Sequence, residues 1–180
     1  MSTLTLPNIS EDQGALSKLI IPAVPGEYYA YLHEFTKERP VFALLKCKAN
    51  KARPVEEAAE LGMEANAFFQ ITDTNTKVLS IKAADAYGLL DCVGISDLFG
   101  ETWFAPVKLT PKEFHEFRAC KDAIALVEMC QEACSERGVV VDLKESSVVA
   151  MMTEHGKYGM FVVQEINSTS IQIAACHILL

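Results

Sequence analysis

The sequence has no apolar run long enough to cross a membrane. Its longest runs, such as VVAMM and AACHILL, fall far short of the ~20 residues that a transmembrane helix requires. The first residues, MSTLTLPNISEDQ, contain neither the basic segment nor the apolar core of a secretory signal peptide. These absences argue against a membrane protein and favour a cytoplasmic location, in which the six cysteines are reduced thiols.

Positive charge is also scarce. The chain has 16 lysines and arginines against 24 aspartates and glutamates, which gives a net charge of −8 at pH 7. This balance disfavours a general affinity for nucleic acid or anionic lipid, although a local basic patch could persist on such a background.

Catalytic and cofactor-binding motifs are missing. The sequence contains no GxSxG nucleophile elbow, phosphate-binding P-loop, GxGxxG dinucleotide fingerprint or EF-hand loop, and no HExxH metal pair. We therefore predict no catalytic residue, no metal ligand and no cofactor from motifs. Because general acid–base catalysis needs only two well-placed side chains, an enzyme remains an alternative.

The remaining composition is that of a globular protein. Half of the 180 residues are hydrophobic and 22% are charged, which is enough apolar material for one domain without disulfide staples. Residues 1–26 contain three prolines and two glycines among large aliphatic residues, a pattern that predicts an extended N-terminal arm packed on a surface. Residues 27–180 are expected to form a single α+β domain.

Two helices are predicted. Tyr28, Tyr31 and Phe35 recur at helical spacing, so the segment 27–39, which stops before Pro40, is predicted to be a helix. Thr110-Pro111-Lys112-Glu113 has the capping-box pattern of a helix N-terminus. The apolar periodicity after it predicts one long helix over about 111–137.

The strand pattern predicts a largely antiparallel sheet of about seven or eight strands, with the long helix packed across it. Short connections after residue 138 join segments of alternating hydrophobicity into a meander. Met160, Phe161, Val162 and Val163 are apolar on both faces of their strand, so this strand is predicted to be central and covered on each side.

The cysteines Cys120, Cys130 and Cys134 raise the question of a metal or redox site. At about 100° per residue, all three lie on or beside the apolar face of the predicted long helix. Their spacing is not that of zinc knuckles, and free cysteine behaves as a small hydrophobe. The sequence therefore favours core packing for these cysteines, and for His177 a position in the core or at its rim.

Two groups of residues are candidates for binding a partner. The segment KCKANKAR concentrates Lys46, Lys48, Lys51 and Arg53 within eight positions, which indicates either an edge strand protected by lysines or a site for an anion or an acidic partner. The predicted aromatic face of Tyr28, Tyr31 and Phe35 indicates either core or a partner interface.

These observations favour a non-enzymatic protein-interaction module, such as an inhibitor, adaptor or accessory subunit that acts through its surface. The partner is expected to be another protein, and the apolar arm favours a homo-oligomer over a monomer. The first alternative is a small-molecule enzyme or ligand-binding domain with a pocket between helix and sheet. A weaker alternative is nucleic-acid or phosphate binding through the basic residues of 46–53.

Overall fold

The computed structural model describes residues 27–43, 51–90 and 98–179, so the predicted arm over 1–26 lies outside the described residues. The described part contains nine strands and four α-helices, and the α+β prediction is confirmed. The strands are β1 Glu27–Thr36, β2 Val41–Ala43, β3 Ala65–Ile71, β4 Thr76–Leu79, β5 Thr102–Val107, β6 Val140–Leu143, β7 Val148–Thr153, β8 Lys157–Ile166 and β9 Ser170–Leu179. The helices are α1 Ala58–Leu61, α2 Ile81–Ala86, α3 Pro111–Cys120 and α4 Ala123–Ala133.

The strands form two antiparallel sheets instead of the single predicted sheet. The large sheet has five strands in the order β1-β9-β8-β7-β5, and the small sheet has four in the order β2-β3-β4-β6. Alternating hydrophobicity indicates that a strand has a buried face, but it does not indicate which strands share a sheet. The sequence predicted seven or eight strands, and the described residues contain nine. The division of these strands into two sheets was not predicted.

The large sheet is the middle layer of three. One face packs on the small sheet and the other packs on α3 and α4. In β8, Phe161 and Val163 point to the small sheet, whereas Met160 and Val162 point to the helices, and all four are buried. The prediction that this strand is central and covered on both sides is confirmed.

The predicted helix over 27–39 is wrong, because residues 27–36 form β1. β1 pairs with β9 over its full length, from Glu27 opposite Leu179 to Thr36 opposite Ser170. Spacing of three and four residues also fits a strand when both of its faces carry aromatic residues, and aromatic side chains favour extended backbone. Tyr31 and Phe35 therefore belong to the face toward the small sheet, whereas Tyr28 packs on the helix side.

The predicted long helix over 111–137 is interrupted. Its start is as expected, because the Thr110 hydroxyl accepts the backbone N–H of Glu113 and the Glu113 carboxylate accepts that of Thr110. The helix stops at Lys121, whose φ of 53° is left-handed, and Asp122 then caps α4 by accepting the Ala125 N–H at 3.0 Å. A short 3-10 turn, Cys134–Glu136, extends α4 toward β6.

None of the helices in 27–43, 51–90 and 98–179 combines the length and the apolar character that crossing a bilayer requires.

Helix α4 offers a matched test of the packing between helix and sheet. Leu126 is fully buried against the large sheet, whereas Ile124, two residues earlier, is 38% exposed. Leu126→Ala is expected to lower the free energy of unfolding by about 2–5 kcal/mol, because it leaves a cavity in the core. Ile124→Ala should change it by about 0.5 kcal/mol or less. Equal losses in chemical denaturation would contradict this orientation of α4.

Candidate functional site

Strand β1 is one of the two edges of the large sheet in the part of the chain that the structure describes. Its pairing with β9 runs over ten residues without a register shift, and the segment EYYAYLHEFT contains no lysine, arginine or proline. Within the described residues, no strand pairs with its outer side. Natural sheets usually protect such an edge with lysine, proline, a bulge or short length. β1 carries none of these devices.

The other three sheet edges are protected. β5 contains Pro106, and its Phe104 N–H donates to the Gly138 carbonyl at 2.7 Å. β2 has three residues, and its Val41 exchanges two backbone hydrogen bonds with Arg53. β6 has four residues, and the carboxylate of its Asp142 lies 3.7 Å from the Lys77 ammonium. Among the described residues, the contrast identifies β1 as the sheet edge with the most open hydrogen-bonding capacity.

The helix layer covers only one end of β1. The Tyr28 hydroxyl donates to the Arg118 carbonyl of α3 at 3.3 Å, and Tyr28 packs with the helix-side core. Further along the same face, Ala30 is exposed and Leu32 is 65% exposed. Alternate residues of a strand share a face, so these two side chains form a small apolar surface directly beside the open edge.

Aromatic and histidine side chains cover the opposite face of β1. The Tyr31 hydroxyl lies 2.7 Å from Nδ1 of His177, a fully buried residue of β9, and the Tyr29 ring stacks on the His177 imidazole at 4.9 Å. The His33 ring lies edge-on to the rings of Tyr31 and Phe42, 4.8 and 5.3 Å away. The contacts with His177 join β1 to its neighbour β9, and the contact with Phe42 joins it to the small sheet, so this face of β1 is packed on both.

A small cavity lies between the two sheets at the β7–β8 hairpin. Its volume is about 170 Å³. The residues that line it are Met63, Glu64, Asn66, Thr153, His155 and Lys157. Burial lowers the pKa of the Lys157 ammonium, and the nearby Glu64 carboxylate opposes that shift. Between helix and sheet, Phe114, Leu126 and Cys130 are fully buried. A pocket elsewhere in that interface stays a prediction.

The basic residues of 46–53 are only partly within the described chain. Lys46 and Lys48 lie outside it, and Lys51 is exposed. Arg53 donates to the Glu57 carboxylate at 2.8 Å and bridges to β2, so part of its charge is neutralised locally. An anion or partner site at these residues stays a prediction.

The predicted aromatic interface does not form one surface. Phe35 is fully buried and stacks on Phe69 of the small sheet with ring centroids 4.1 Å apart. Tyr28 and Tyr31 are half-buried on opposite faces of β1. A partner role for Tyr28 and Tyr31 stays a prediction. The Phe35 side chain is fully buried in this structure, so no part of it is at the surface.

The cysteine prediction holds for Cys130 and Cys134 but not for Cys120. Cys130 and Cys134 are buried beneath α4, and the Cys130 thiol donates to the Gly159 carbonyl at 3.1 Å. Cys120, the last residue of α3, is exposed. The buried position of this helix is Phe114, and at about 100° per residue Cys120 lies well away from it. Among the described residues, no group of three or more potential ligands has the arrangement of a metal site.

Three residues of this region were not identified from the sequence: Leu32, His33 and Lys157. Leu32 and His33 were placed on a helix, where their faces could not be recognised. Lys157 is the first residue of β8 and lines the cavity between the sheets. Period-two alternation in YAYLHEF was the signal that could have located Leu32 on an exposed strand face.

Comparison with known proteins gives no relative: no family model, curated protein or solved structure matches the chain.

Thiol labelling tests the burial of the cysteines. Burial raises the pKa of Cys134 to about 12 and that of Cys176 to about 11, and it also raises the pKa of Cys130. The thiolate is the reactive species, so these three should be alkylated slowly in native protein, whereas Cys120 should react fast. Peptide mass spectrometry after timed alkylation measures each site, with denatured protein as the reference for full reactivity. Fast native labelling of Cys134 would contradict its burial.

The half-buried His33 predicts a pH dependence of stability. Burial lowers the pKa of its imidazole from 6.5 because the charged form loses hydration. The unfolded chain then binds the proton more readily, so this contribution is complete above about pH 6.5 and is lost as the pH falls toward the folded value. His33→Phe should reduce the loss of unfolding free energy between about pH 7 and pH 5. The exposed His115→Phe should leave the loss unchanged, and identical profiles for both variants would contradict the assignment.

Proposed function

We propose that the protein is a non-enzymatic interaction module that binds an extended segment of another protein by strand addition at β1. The observation that carries this proposal is the edge itself, which is ten residues long, regular and without protecting lysine, arginine, proline or bulge. Strand addition supplies main-chain hydrogen bonds for affinity, and alternate side chains supply specificity.

The surface beside the edge supports an apolar segment. Leu32 and Ala30 are exposed on the face that α3 leaves uncovered, so alternate side chains of an added strand would lie beside them. The Tyr31–His177 hydrogen bond and the stacking of Tyr29 support the back of β1, which limits the entropy lost when the edge is occupied.

Charge favours a basic partner over a second copy. The chain has a net charge of −8, and the Glu34 carboxylate is exposed beside Leu32 with its Oε2 held by Gln172 at 3.3 Å. A second copy would bring a second negatively charged chain to this edge, and like charges on neighbouring strands are destabilising. A segment that alternates apolar and basic residues is complementary to this edge.

The cytoplasmic location predicted from the sequence forms part of this proposal. It is supported by the four described cysteines, which are free thiols, as expected where disulfides are not maintained.

A random peptide display library tests the proposal directly. Selection on the full chain is expected to enrich extended sequences that alternate apolar and basic residues, and their affinity should fall with salt. Leu32→Lys should abolish binding, because it places a protecting charge beside the edge. Ile124→Lys, a matched change of an exposed apolar residue on α4, should leave binding intact.

Two outcomes would overturn the proposal. One is the absence of enrichment, or peptides that bind Leu32→Lys as well as the wild-type chain. The other is a dimer in light scattering that Leu32→Lys converts to a monomer, since a second copy would then occupy the edge.

A further inference from the structure

The edge of β1 needs a cover when no partner is bound. Within the described residues no strand pairs with its outer side, and Leu32 is 65% exposed beside it. A long, regular edge without protecting residues pairs with other chains and aggregates unless something covers it. Residues 1–26, which lie outside the described residues, join this strand directly at Glu27. They are therefore the nearest part of the chain that is available to cover the edge.

The sequence before β1 has a turn signal and the length of a strand that could pair with it. Pro25 and Gly26 immediately precede Glu27, and a proline followed by a glycine is typical of a turn. The segment before them, ALSKLIIPAV at 15–24, matches the ten residues of β1 in length. A chain that reverses direction at this turn brings the segment alongside β1 in antiparallel orientation, for which a two-residue connection is sufficient.

The register set by this turn brings apolar residues to the exposed face of β1. With residues 25–26 as the turn, Ile21 lies opposite Ala30. Two positions further along each strand, Leu19 lies opposite Leu32. Directly opposite residues of antiparallel strands share a face of the sheet. Because Ala30 and Leu32 are the exposed residues of the helix-side face, the two aliphatic side chains would cover the apolar surface that α3 leaves open.

Segment 15–24 also carries the protecting residues that β1 lacks. It contains Lys18 and Pro22, and lysine and proline are two of the residues with which natural sheets protect an edge strand. As the new outer strand, the segment would therefore protect the extended sheet from further pairing. It contains no acidic residue, so it brings a positive charge to the edge of a chain whose net charge is −8.

We propose that segment 15–24 adds to β1 of the same chain as an antiparallel strand and covers Ala30 and Leu32. Because two residues connect it to β1, this pairing is intramolecular and needs no second molecule. A partner must then displace the segment to reach the edge, so the segment regulates partner binding. This regulatory consequence rests on the proposed function, whereas the pairing of the segment with β1 does not.

Hydrogen exchange on the full chain, resolved to single amides, tests the pairing. The backbone N–H groups of β1 point alternately toward β9 and outward. Both sets are expected to be protected in wild-type protein, because the added strand accepts the outward set. Leu19→Lys combined with Ile21→Lys should speed exchange of the outward set by roughly tenfold or more, since it removes the apolar cover. Leu4→Lys combined with Leu6→Lys makes the same charge change outside segment 15–24 and should leave the exchange unchanged.

A synthetic peptide of residues 15–24 provides a second measurement that needs no partner. It should bind the full chain carrying Leu19→Lys and Ile21→Lys several-fold more tightly than the wild-type chain, whose edge is already occupied. Adding Leu32→Lys to that variant should abolish binding, because the charge lies beside the edge. Adding Ile124→Lys instead, an equal change on α4, should leave binding intact.

Three outcomes would overturn the proposal. The first is fast exchange of the outward amides of β1 in wild-type protein, and the second is equal binding of the peptide by the two chains. The third is a dimer in light scattering that the changes at Leu19 and Ile21 convert to a monomer, since the segment would then cover the edge of a second copy. Failure of the peptide library selection would count against the proposed function and not against this pairing.

Discussion

Burial of the large sheet on both faces is the constraint on which the other features of the protein depend. Ile173 and Ala175 of β9 point to the small sheet, whereas Ala174 and Cys176 point to the helices, and all four are fully buried. A sheet with two apolar faces needs a covering layer on each side. The small sheet provides one layer, and α3 and α4 provide the other, mainly over β7 and β8. β1 lies at the margin of that covered area, which is why its helix-side face is open from Ala30 onward.

Much of this layered arrangement follows from local sequence signals. The two-sided apolar run in β8 predicted a central strand, and Thr110 with Glu113 predicted where the helix layer begins. Both signals are local. The first depends on the side chains of one strand, and the second depends on four consecutive residues whose side chains accept the backbone N–H groups at the helix N-terminus. Sequence reasoning succeeded where the determining interaction lies within a few residues of the pattern.

It failed where the determining interaction is distant or where two local signals compete. The residues of β1 fit a helical stripe as well as a strand, and the deciding partner is β9, more than a hundred positions later. At Lys121 and Asp122 the apolar periodicity continues across the junction, but the capping aspartate outweighs it and starts a new helix. Cys120, the last residue before this break, is exposed, whereas Cys130 on the next helix is buried. The position of β1 at a sheet edge could not be predicted either, because it depends on the order of the strands in the sheet and not on the local sequence.

The inter-sheet cavity has its origin in an irregularity of the small sheet. Phe42 pairs with Ala67 and Ala43 pairs with Ala65, so Asn66 is an extra residue in β3 that no residue of β2 faces. A bulge of this kind bends the strand and redirects a side chain. Here it brings the Asn66 amide to the wall that Thr153 and Lys157 also line, at the end of the large sheet where the small sheet no longer fills the space. The same packing of two sheets that supports β1 at one side therefore leaves, at this end, a small, partly open cavity that Lys157 lines.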